Sequence, residues 1–231
     1  MIVLEVDMKK LFIVLCLIFV VSGCEKTSKN VLSRKTVVVV DEKMQEIDEI
    51  KEKVFPEEKV LEVPFVMQAP FANWEQHNES CEEAGLLLAH YFYTGEVLTK
   101  NQANIEILDM VDFQHKIYGA EHDIFAEEMG VLAKDYYGYE NYRVIDGTIE
   151  NIKNEILNNN PVIVPTTAGY LKAEKSDYPE MGYHVVVIVG YNRYGFVTHD
   201  VGTVTGEGFT YTFSTLQYSI KDYNSEVLVL K

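Results

Sequence analysis

The spacing of apolar positions changes near Pro161. Before it, apolar residues recur at helical intervals. The run "CEEAGLLLAHYFY" from Cys81 to Tyr93 is apolar over most of its circumference and stops before Gly95, which predicts a largely buried helix. Ser80 stands at the N-cap position, and Glu83 three residues later completes a capping box. Further helices are predicted over 101–117, 123–136 and 148–158, the last opened by Thr148 and closed by "NNN" before Pro161. Beyond Pro161 the pattern is that of strands. "PVIVPTT" and "YHVVVIVGY" are short apolar runs, "NRYG" is a turn, and "FVTHD", "GFTYTF" and "EVLVL" follow. Helices first and antiparallel strands later predict an α+β domain. Pro64 and Pro70 keep "VPFVMQAPFANW" extended, so the domain is expected over residues 60–231. Residues 24–59 are polar and read as a tether, with a helical piece through Met44, Ile47, Ile50 and Val54 and a short strand in "TVVVV".

The N-terminus changes the picture of where the domain sits. Lys9 and Lys10 precede an uncharged apolar run, Leu11 to Val21, shorter than the ~20 residues a membrane-spanning helix needs. Val21-Ser22-Gly23-Cys24 then resembles the lipobox of bacterial lipoproteins. The resemblance implies a signal peptide over residues 1–23, acylation of Cys24, and a protein of the cell envelope, outside the cytoplasm and lipid-anchored to a membrane. A plain signal peptide or an anchor helix is the simpler alternative. The net charge of −16 argues against a nucleic-acid partner and against docking on anionic headgroups, which leaves the acyl group as the membrane link. No spacing of His and Cys fits a metal, and "DVGTVTGEG" is a glycine-rich hairpin loop without a phosphate-binding context, so no cofactor is expected. The aromatic run "DYYGYENY" reads either as a substrate groove or as the wet edge of a core.

With Cys16 removed and Cys24 acylated, Cys81 is the one thiol left in an exported chain. It stands first in its helix, where unpaired amide hydrogens and the helix dipole lower a thiol pKa. Glu79, Glu82 and Glu83 oppose that, unless Glu82 and Glu83 face away from the sulfur. A buried core cysteine remains the alternative. Of six histidines, His77, His90, His115 and His122 are poorly placed, whereas His184 opens the most apolar strand. Asp200 follows after a hairpin and can orient an imidazole. A hairpin turning at "NRYG" pairs Tyr191 with Phe196 and therefore sets Asp200 opposite Val187, on the wrong face for His184. A bulge, or an early end to pairing, must re-aim one of them; His199 is the fallback partner.

The pieces "VPFVMQAPFANW", "ESCEEAGLLLAHYF", "GYHVVVIVGYN" and "FVTHDVGTVTGEGFTYTF" together resemble the C39-like, bacteriocin-processing group of papain-like cysteine peptidases. The resemblance implies a papain-like fold, with N-terminal helices packed on a C-terminal antiparallel sheet. It implies Cys81 as nucleophile, His184 as base, Asp200 as orienter and Gln68 as an oxyanion-hole donor, with Gln76 a rival nearer the cysteine. The implied reaction is cleavage of an amide bond in a peptide or protein. Glu82 stands where the group often has glycine, and no transporter is fused to the chain, so double-glycine cleavage does not carry over. Transglutaminase or cell-wall amidase chemistry, and a non-catalytic binding lipoprotein, remain open.

Overall fold

The computed structural model describes residues 55–119, 123–172, 174–175 and 182–231. The expected signal peptide, Cys24, the helix and strand expected in the tether, and His122 lie outside the described residues. The compact unit runs Phe55–Lys231.

Among the described residues, seven antiparallel strands form one sheet: β1 (Lys59–Val60), β2 (Arg143–Asp146), β3 (Val162–Thr167), β4 (Tyr183–Tyr191), β5 (Gly195–Asp200), β6 (Phe209–Thr212) and β7 (Glu226–Val229). The order across it is β2-β7-β3-β4-β5-β6, and β1 pairs with the end of β4 beyond β3. The helices are α1 (Trp74–His77), α2 (Cys81–Thr94), α3 (Lys100–Tyr118), α4 (Ala126–Tyr137), α5 (Ile149–Leu157), α6 (Ala168–Leu171) and α7 (Phe213–Ser219). A 3-10 turn covers Lys221–Tyr223. This is the expected α+β arrangement of helices on an antiparallel sheet.

The helix α2 is central. Leu86, Leu87 and Leu88 are consecutive yet all fully buried, because the helix packs on β3 and β4 on one side and on α3 and α4 on others. Its seat on the sheet is close at Gly85. A Cβ there would stand 2.9 Å from Val185 Cγ1 and 3.4 Å from Ile163 Cγ2. Gly85 is one turn from Cys81 on the same helix face, so the missing side chain lets the cysteine end approach β4.

Four expectations on local structure change. Ser80 does not cap α2 through its side chain; its backbone lies at φ −105°, ψ 27°, outside the extended geometry that aims the hydroxyl at the helix. Glu83 turns to α3 instead and accepts a hydrogen bond from Gln114 Nε2. The segment after Pro70 is not wholly extended, since α1 forms there. The strand through "GFTYTF" ends at Thr212, whose hydroxyl accepts the Thr215 N–H and starts α7. The run 135–142 is a core edge: the Tyr137 ring stacks on His90 at 3.9 Å between centroids, and Tyr139 lies edge-on to it.

The hairpin resolves the conflict of faces. Tyr191 pairs with Phe196 and Gly190 with Val197, but Ile188 rather than Val189 pairs with Thr198. Val189 is thus an extra residue on β4. Beyond it Val187 faces His199 and Val186 faces Asp200. Asp200 is therefore the diagonal neighbour of His184 on one face of the sheet, a spacing that side chains bridge.

Candidate active site

Cys81, His184 and Gln68 line one cleft of about 290 Å³, together with Trp74, Asn78, Glu79, Asp123, Ala168, Tyr183 and Gly202. Three elements meet there: the first turn of α2, the start of β4 and the loop after β5.

On the sheet side, His184 Nε2 lies 3.0 Å from Asp200 Oδ1. Both residues are buried. The carboxylate also accepts the Gly202 N–H on Oδ1 at 3.2 Å and the Tyr211 hydroxyl on Oδ2 at 2.7 Å. It is held from three directions and in turn fixes the imidazole, with Nε2 as the ring nitrogen that carries hydrogen. Gly202 has a steric role as well: a Cβ there would stand 2.7 Å from His184 Cε1, so the ring rests on bare backbone. His199 points elsewhere. Its Nε2 donates to Val63 O at 2.9 Å and its Nδ1 accepts the Gly208 N–H at 3.1 Å. Burial holds its pKa below the ordinary histidine value, and the neutral ring ties the entry segment to the β5–β6 loop.

On the helix side the thiol differs from expectation. Cys81 is buried, and its S–H donates to Glu82 Oε2 at 3.1 Å. Glu82 faces the sulfur rather than turning away from it. Burial pushes the thiol pKa well above the usual range, and the Glu82 carboxylate adds to the rise. A backbone hydrogen bond from Val185, the residue after His184, works in the opposite direction. The helix start is therefore outweighed here, because a desolvated anion beside a carboxylate is disfavoured on two counts.

Gln68 is buried, and its backbone N–H donates to Val201 O at 2.9 Å. Its Nε2 donates to His77 O at 2.9 Å and to Asn78 O at 3.2 Å. Both amide hydrogens thus brace the turn leading into Cys81. Gln76 is exposed, outside the cleft, and accepts from Asn73 Nδ2.

A family model described as the Peptidase_C39 like family matches residues 60–225. The chain belongs to that family. The Peptidase_C39-like chain is accordingly a cysteine peptidase with a peptide or protein substrate. A solved structure described as a C39-like peptidase from Bacillus anthracis aligns with a TM-score of 0.55 at 16% identity, covering 76% of this chain and 98% of its own. At that identity the likeness shows the fold alone. Xylellain, a cysteine protease from Xylella fastidiosa, aligns at 15% identity over 77% of this chain and 87% of its own, with a TM-score of 0.42. No curated protein matches the chain.

Several residues of the site carry no signal of their own in the sequence. Tyr211 and Gly202 reach Asp200 only through strand register and loop closure, and Tyr183 is one tyrosine among fifteen. Replacing Tyr211 by phenylalanine removes the 2.7 Å donor to Asp200 Oδ2. A hydrogen bond to a charged group is worth about 1.5–3 kcal/mol. The expected outcome is a lower Tm together with a roughly tenfold lower kcat and little change in KM, read by thermal melts and peptide hydrolysis.

Proposed function

We propose that the protein is an exported, lipid-anchored peptidase that cleaves amide bonds through Cys81, His184 and Asp200. The observation that carries this reading is the 3.0 Å contact of His184 Nε2 with Asp200 Oδ1 at the wall of the cleft that holds Cys81. Asp200 keeps the proton on Nε2, which makes Nδ1 the nitrogen that exchanges protons in the reaction. The thiolate attacks the peptide carbonyl, His184 delivers a proton to the leaving amine, and water then releases the acyl group from sulfur. Glu79 and Asp123 beside the cleft favour a neutral or basic substrate segment over an acidic one. The test is a peptide library digested by the wild type and by Cys81→Ala. Cleavage by the wild type alone, with an acyl adduct trapped on Cys81, supports the reading. Equal cleavage by both variants removes it.

The oxyanion that forms after attack lies near the Cys81 amide hydrogen, the first of α2. Gln68 joins it if Asn78 O, the longer of its two acceptors, is exchanged for substrate. Gln68→Ala is expected to slow hydrolysis by ~10²–10³, the usual effect of losing one such donor. Gln76→Ala is expected to leave the rate unchanged, and steady-state kinetics on both folded variants checks the pair.

Anchoring rests on "VSGC" after the short apolar run. Acyl mass on Cys24, and release from the membrane fraction in Cys24→Ala, are the expected findings.

A further inference from the structure

The carboxylate of Glu82 is in an unusual place. It is 2% exposed and touches the nucleophile, with Oε2 3.1 Å from Cys81 Sγ. It is also fixed. Oε1 accepts the Ile124 N–H at 3.1 Å, and the Ile124 carbonyl is held by the Tyr183 hydroxyl at 2.5 Å. Tyr183 precedes His184 on β4, so the carboxylate is clamped between the nucleophile's helix and the strand that bears the imidazole. No Lys or Arg pairs with it among the described residues. A buried carboxylate without a cation is costly, and it lowers that cost by taking a proton. The nearest exchangeable proton is the one on sulfur.

We propose that Glu82 is a proton acceptor for the Cys81 thiol, a second acid–base group of the nucleophile beside His184. In the transfer the S–H bond breaks and its electron pair stays on sulfur. An O–H bond forms on Oε2, and the negative charge moves from carboxylate to thiolate. The neutral acid then donates its hydrogen bond back to the thiolate, so the contact is kept with the roles reversed. No other reactant is needed.

The surroundings agree with this role. Burial raises the Glu82 pKa to about 7, with the thiol, its own amide and the Ile124 amide pulling it down and Asp123 pushing it up. Besides His184 and Glu79, which line the cleft, the titratable groups facing the pair are Asp123 before α4, Glu83 on α2, Tyr183 on β4 and Tyr223 in the 3-10 turn. None of those four is cationic, so none holds Glu82 ionised. Two groups that share a proton titrate as a pair. Thiolate with neutral Glu82 has the same proton count as thiol with ionised Glu82. Its population therefore grows until Glu82 titrates and then stays level until the second proton leaves.

The proposal deepens the peptidase reading but is tested on the thiol alone. Iodoacetamide labelling of Cys81 in the full chain is followed by peptide mass analysis from pH 5 to 10, which separates it from Cys16 and Cys24. The variants are His184→Ala and His184→Ala with Glu82→Gln. In His184→Ala the rate should rise to about pH 7, flatten, and rise again at higher pH. Adding Glu82→Gln should leave one continuous rise, with rates equal below pH 6 and more than about tenfold faster at pH 8.5. A single rise in His184→Ala, unchanged by Glu82→Gln, overturns the proposal. If Glu82→Gln does not fold, Glu82→Ala takes its place. If neither folds, the flattening near pH 7 in His184→Ala decides alone. Undiminished peptide cleavage by His184→Ala would instead sink the triad while leaving the Glu82 profile to stand or fall by itself.

Discussion

Replacing His184 by alanine is expected to lower kcat/KM for peptide hydrolysis by about 10⁴-fold or more, the scale seen when a member of such a constellation is lost. The fold should survive. The imidazole lies on the bare backbone of Gly202 and at the wall of the cleft, so its removal enlarges a space that water already reaches. On the proposed mechanism, what is lost is the group that delivers a proton to the leaving amine. Asp200 retains the Tyr211 hydroxyl and the Gly202 amide, which keeps the buried carboxylate hydrogen-bonded in the variant. Steady-state kinetics alongside a thermal melt separates the two effects. A fall in rate matched by a fall in Tm would mean that His184 serves the fold rather than the chemistry.

Gly206→Ala is expected to damage stability and activity together. A Cβ at Gly206 would stand 1.9 Å from the Asp200 carbonyl oxygen, 2.8 Å from its carbonyl carbon and 3.0 Å from its Cβ. The first two are backbone atoms and cannot rotate away. The loop must move, and with it goes the 3.0 Å bond from the Asp200 N–H to Gly206 O. Overpacking of this kind costs roughly 1–3 kcal/mol, which for a domain of this size lowers Tm by several degrees. Because the strained residue is Asp200 itself, its carboxylate is drawn off His184. Hydrolysis should therefore fall even at temperatures where the variant remains folded. A folded variant with full activity would show that the loop relaxes without moving Asp200.

Much of this fold is legible in the chain because its elements are strongly patterned. The apolar run after Cys81 and the β-branched runs after Pro161 leave little choice of element. The bulge is not legible. "HVVVIVGY" is apolar at consecutive positions, so no alternation marks a face and nothing singles out Val189 as the extra residue. The turn alone sets a register that is one residue out at Asp200. The direction of Glu82 is hidden for a different reason. Neighbouring helix positions point apart at Cβ, yet a glutamate has enough torsions to fold back towards the helix start, where Ile124 holds it. The strand β2 and the helix α7 are short and take their shape from partners distant in sequence. Arg143–Asp146 is a strand because β7 pairs with it, and Phe213 leaves its strand because Thr212 caps the next helix.

The packing of α2 at Gly85 makes the competence of the enzyme a property of a seam. The imidazole and its carboxylate are wired together within the sheet, whereas the sulfur arrives on a separate body resting against Val185 and Ile163. A slide of the helix along that contact would carry the sulfur, and its hydrogen bond from the Val185 backbone, away from the cleft wall that holds the imidazole. Under gradual denaturation, hydrolysis is therefore expected to fall before the far-UV signal of the folded domain does.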